Sequence, residues 1–113
     1  MKREKAKPIR IERGSRNVYA DLGYADAEDM LVKAQLVTEI ADLIRARNLT
    51  QEQAAQILGL TQPKISAMLN GQFRGISERK LLTCLTRLGR DIQIVIKAAP
   101  RQRATGRLTV LFA

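Results

Sequence analysis

The chain has 113 residues, enough for one small domain and too few for two. Its apolar content of 45% includes only 4% aromatics and no Trp, so the core must come from Leu, Ile, Val and Ala, which suits helices. A single Cys84 excludes an internal disulfide or a multi-Cys metal site, no apolar run approaches about 18 residues, and the net charge of +9 points to nucleic acid or another anionic surface.

The charge is unevenly placed. Residues 1–20 hold seven Lys/Arg against two Glu, and residues 97–113 hold four Lys/Arg and no acid. Between them, segment 21–44 has one Lys and six acids, while segment 45–90 has eight Lys/Arg and two Glu. An acidic stretch therefore abuts a basic one.

Residues 1–16, MKREKAKPIRIERGSR, are basic and aperiodic and read as a flexible arm. NVYADLGY, 17–24, reads as a turn of helix packed on the body. Asp26 then sits where an N-cap belongs, with Glu28 and Asp29 in the first turn, where acids suit the helix dipole. Met30, Ala34, Val37, Ile40, Ala41 and Ile44 recur at steps of three and four, which predicts an amphipathic helix of about six turns up to Arg47. Asn48 can take the left-handed conformation that closes it.

Thr50 and Gln53 make a capping-box pattern, Ala54, Ala55 and Leu58 form an inner stripe, and Gly59 ends this second helix. Thr61 caps a third, with Pro63 in its first turn, where a missing N–H costs little. Ile65, Met68 and Leu69 face inward and Gly71 stops it. After the loop QFRGI, Ser77 caps a fourth helix with Leu81, Leu82, Leu85 and Leu88 as its stripe, and Gly89 ends it. Cys84 lies in KLLTCLTRL and reads as a buried thiol. DIQIVIK, 91–97, alternates Ile92, Ile94 and Ile96 and predicts a strand, and RLTVLF, 107–112, a second, joined by the basic loop AAPRQRATG.

Two short helices joined by about three residues with a Gly make a helix-turn-helix pattern. Ala55 is small where the helices must cross, and Leu60 and Ile65 fill the wedge between them. A helix that lies in the major groove needs a front free of bulk and rich in donors. Gln62, Lys64, Ser66 and Ala67 meet that demand, opposite an apolar back.

The stretch LTQEQAAQILGLTQPKISAMLNG, residues 49–71, closely resembles the XRE-type helix-turn-helix family, the lambdoid phage repressor class, and the likeness extends over about 33–90. The resemblance implies a mainly α, lambda-repressor-like bundle of four to five helices, here with a short C-terminal β element. It implies a phosphate contact from Gln51, base contacts from Gln62, Pro63 and Lys64 with Thr61, Ser66 and Ala67 alongside, and a phosphate contact from Asn70, with Arg74 near the backbone. Pro63 departs from the polar residue common there and offers only apolar contact.

The flanks NVYADLGYADAEDMLVKAQL, FRGIS and GRDIQIVIK resemble the small HigA-like antitoxins of bacterial toxin–antitoxin pairs. That resemblance implies a homodimer that represses its own operon on a double-stranded operator and silences a RelE/HigB-like RNase toxin. A basic toxin would complement the acidic segment, so Tyr19, Leu22, Tyr24, Asp26, Glu28 and Asp29 are its candidate contacts, on a face opposite the DNA. The alternative is a stand-alone regulator or phage repressor with no toxin. With no His and no carboxylate pair in a plausible setting, no enzyme, catalytic residue, metal or cofactor is expected. The lack of a hydrophobic leader or membrane span reads as a cytoplasmic protein, nucleoid-associated when on its operator. The expected organisation is an arm at 1–16, a helical domain at 17–90 and a β extension at 91–113.

Overall fold

The computed structural model describes residues 26–113. Four helices follow in chain order: α1 (Ala27–Ala46), α2 (Gln51–Leu58), α3 (Gln62–Leu69) and α4 (Glu78–Arg87). The arm at 1–16 and the segment at 17–24 lie outside the described residues.

Local chemistry sets most helix boundaries. At the start of α2 the capping box is closed in both directions: the Gln53 N–H donates to Thr50 Oγ1 at 3.1 Å, and the Thr50 N–H donates to Gln53 Oε1 at 2.9 Å. Thr61 and Ser77 cap α3 and α4 through single bonds from the Lys64 and Lys80 N–H groups. Each such cap stabilises its helix by about 1 kcal/mol. Asn48 adopts a left-handed φ of 53°, and Gly59, Gly71 and Gly89 have positive φ where the other helices end. Asp26 holds the N-cap position of α1 but makes no capping bond with its side chain.

The core is wider than a single stripe. Helix α1 packs chiefly on α4 and also on α3, while α2 packs on α3 and α4. A helix wedged between partners buries more than one face, so Val32, Leu36 and Leu43 are buried alongside the expected Met30, Val37, Ile40 and Ile44. Ala41 and Leu82, expected inside, are only half-buried. Ile65, Met68, Leu58, Leu81 and Cys84 are fully enclosed. Phe73, in the loop after α3, is also in the core and anchors that loop to the bundle.

The C-terminal β element is not formed: residues 91–113 contain no strand. A strand needs a neighbouring edge for its N–H and C=O groups, and among the described residues none is offered to 91–97. Val110 does return to pack against the core.

Candidate nucleic-acid interface

The turn between α2 and α3 comprises Gly59, Leu60 and Thr61. Gly59 stands in the left-handed region at φ 68°, ψ 33°, and both its N–H and that of Leu60 donate to the Ala55 carbonyl. Leu60 and Ala55 pack against the core, and Ile65 is wholly enclosed beneath them. The angle between the helices is therefore held from inside, by apolar contact, and at the turn, by backbone bonds.

That arrangement decides what α3 presents outward. At about 100° per residue, Pro63, Ser66, Ala67 and Asn70 share the side opposite Ile65 and Met68, with Gln62 and Lys64 flanking them on the first turn. Thr61, Gln62, Pro63, Lys64 and Asn70 are exposed, whereas Ser66 and Ala67 are half-buried. The Asn70 N–H is occupied by the Ser66 and Ala67 carbonyls as the helix ends, so only its side chain faces outward as a new donor and acceptor. Gln51 is exposed in the first turn of α2, and Gln53 rather than Gln51 is used in the cap. The outcome is a convex ridge of amide, hydroxyl and ammonium groups on an apolar base.

A helix-turn-helix domain family matches residues 18–97. A solved structure assigned to the XRE family of transcriptional regulators is 40% identical, with a TM-score of 0.72, over 78% of this chain and 99% of that one. The chain belongs to the XRE-type helix-turn-helix family. No match was found among curated proteins.

Family membership makes this a DNA-binding regulator, and two cations give its helix-turn-helix unit a further brace. Lys80 Nζ, on α4, donates to the Leu58 carbonyl at 3.3 Å, and Arg87 Nη1 donates to the Ile57 carbonyl at 3.4 Å. Both sit at the C-terminal end of α2, where positive charge suits the helix dipole. The positive φ calls for glycine at 59, and a Cβ there would lie 2.7 Å from Arg87 Nη1, the far end of a flexible side chain that would have to shift. Sequence reasoning missed this pair. The available signal was a seven-residue spacing of cations on the helix that follows the motif.

The XRE-type ridge is not isolated from the acidic helix. Arg74, in the loop after α3, pairs its guanidinium with the Asp26 carboxylate, and its carbonyl accepts a bond from Lys33 Nζ at 2.7 Å. The start of α1 is thus tied to the loop leaving α3. The expected separation of acidic and DNA-facing surfaces onto opposite faces does not hold at Asp26. Of the other acids, Asp42 pairs with Arg45 and Glu39 Oε2 accepts from Arg90 Nε at 3.4 Å. Glu28 and Asp29 are exposed in the first turn of α1. Tyr19, Leu22 and Tyr24 lie outside the described residues.

Cys84 is buried, and desolvation raises its thiol pKa against the smaller lowering by Lys80 and Arg87. That makes it a packing group and a poor nucleophile. Among the described residues no three His, Cys, Asp or Glu side chains are grouped as a metal site requires, and no helix is long and apolar enough to cross a membrane.

Proposed function

We propose that this XRE-type regulator is a dimeric, operator-specific autorepressor that also serves as the antitoxin to a RelE/HigB-like RNase toxin. The observation that carries the DNA-reading part is the ridge of α3: an exposed polar front on a fully enclosed apolar back. In this reading Gln62 makes a bidentate contact to a base and Pro63 meets a thymine methyl. Lys64 and Thr61 add donors beside them, Ser66 and Ala67 line the groove, and Gln51 and Asn70 hold phosphates. Arg74 would meet phosphate in competition with its pairing to Asp26. The functional body is 17–90, with a basic arm at 1–16 and an extension at 91–113 that serves assembly.

The antitoxin role rests on the likeness of the flanks to HigA-like proteins and on acid at the start of α1. A basic RNase surface would meet Glu28 and Asp29 first, with Asp26 reached by competition with Arg74 and with Tyr19, Leu22 and Tyr24 as apolar anchors. The internal pairing of Asp26, Glu39 and Asp42 favours a second reading, a stand-alone regulator, because it leaves less free acid for a partner.

The test has two arms. Fluorescence anisotropy against the chain's own promoter should show specific binding, and Gln62→Ala should lose about 1–3 kcal/mol of discrimination at one base pair. If Gln62→Ala ranks every operator variant as the parent does, Gln62 reads no base. Co-expression with the product of the adjoining reading frame should yield a stable complex that silences RNA cleavage. No complex, with operator binding intact, selects the stand-alone reading.

A further inference from the structure

Residues 91–97 are exposed throughout, and none of them takes part in a backbone hydrogen bond within the described chain. Ile94 is 77% and Ile96 92% exposed. The downstream segment behaves differently, since Val110 packs on the core and Phe112 is half-buried. The body thus covers part of one apolar tail and, in the other, covers much of Ile92 (37% exposed) but leaves Ile94 and Ile96 bare and the backbone unpaired among the described residues. Such a segment is a template for strand pairing.

We propose that residues 91–97 pair antiparallel with the same residues of a second copy of this chain, about a two-fold axis through Ile94. This deepens the dimeric-repressor reading and rests on it. In that register DIQIVIK matches isoleucines on one face and opposite charges at its ends, with Gln93 against Val95 on the other face; the register centred on Val95 also matches apolar residues but loses the charge pairing. Ile94 meets Ile94 of the second copy, Ile92 meets Ile96, and Asp91 meets Lys97, so every isoleucine faces an isoleucine and each terminal charge faces its opposite. A shift of one residue places Ile92 against Lys97 and Gln93 against Ile96, which matches apolar with polar. No general sticky surface carries this dyad symmetry of charge. It favours a second copy over an unrelated partner, because only an identical strand brings the complementary pattern by construction.

Cysteine scanning tests the register. Directly opposed Cα atoms are about 4.5–5.5 Å apart, within the disulfide range of about 4.4–6.8 Å. Ile94→Cys should therefore oxidise to a covalent dimer. Ile92→Cys and Ile96→Cys should each fail alone, because like residues two positions off the axis are offset by four residues, about 13 Å, yet a mixture of the two should cross-link. The native Cys84 is buried and stays silent. Separately, Asp91→Lys and Lys97→Asp should each weaken dimerisation about tenfold, and the double exchange should restore it. These positions are outside the core, so the helical circular dichroism of each variant should match the parent.

Equal cross-linking at all three positions overturns the inference. So does a dimer that binds operator but ignores both the cysteine at 94 and the charge exchange, and this outcome leaves the dimeric-repressor reading standing. A chain that is monomeric on its operator overturns both. Protection of 91–97 from hydrogen exchange only when the adjoining frame's product is added assigns the segment to that partner and also overturns the inference.

Discussion

Replacing Gly59 with alanine perturbs the turn on which the DNA-reading geometry depends. At φ 68° an L-residue in this left-handed conformation costs about 1–2 kcal/mol. The added Cβ would also stand 2.7 Å from Arg87 Nη1, far inside contact distance. The guanidinium is the end of an exposed, flexible side chain, so it moves rather than the backbone. Moving it removes a weak bond to the Ile57 carbonyl, 3.4 Å long, and a cation at the end of α2. That loss is about 0.3–1 kcal/mol for an exposed group. The expected total is about 1.3–3 kcal/mol. For a domain of this size, each kcal/mol corresponds to about 4–8 °C in Tm. Urea denaturation of Gly59→Ala, Arg87→Ala and the double variant separates the two contributions, because the contact portion should vanish when Arg87 is already gone. In the Arg87→Ala background, Gly59→Ala should cost only the backbone part, about 1–2 kcal/mol. A Gly59→Ala variant within about 0.5 kcal/mol of the parent would refute the conformational argument. Strictly additive costs would refute the Arg87 contact.

Lys64→Ala should weaken binding to all operators alike and lower the salt slope by about one if Lys64 meets phosphate. An unchanged slope with altered sequence preference would assign it to a base. Replacing both Glu28 and Asp29 with Lys should slow capture of the adjoining frame's product at low salt, at a stability cost of about 0.3–1 kcal/mol per site from the helix dipole; parent-like association rates at low ionic strength would make them a solvated face. Burial raises the Cys84 pKa, so the folded state keeps the thiol proton to higher pH than the unfolded chain. Its contribution is full below the unfolded value of about 8.5 and is lost as pH rises through the folded one. Denaturation midpoints should therefore fall more steeply above about pH 8.5 for the parent than for Cys84→Ala, and parallel curves would disprove the link.

Sequence alone carried the local decisions. Thr50 with Gln53, Thr61, Ser77, Asn48 and Gly59 are legible because a cap or a left-handed turn depends on groups within four or five residues. The enclosed back of α3 is legible for the same reason, since Ile65 and Met68 are three apart on one helix. Tertiary structure decided the rest. Val32, Leu36 and Leu43 are buried because α1 is gripped by both α3 and α4, which no single-helix period reveals. Asp26 gives up its cap for Arg74, 48 residues away, and Lys80 and Arg87 brace a helix 22 and 30 residues behind them. The strand at 91–97 went unformed although its alternation is plain. Alternation specifies which side chains share a face, but a strand exists only when another backbone edge satisfies its hydrogen bonds, and that edge is a property of the assembled molecule.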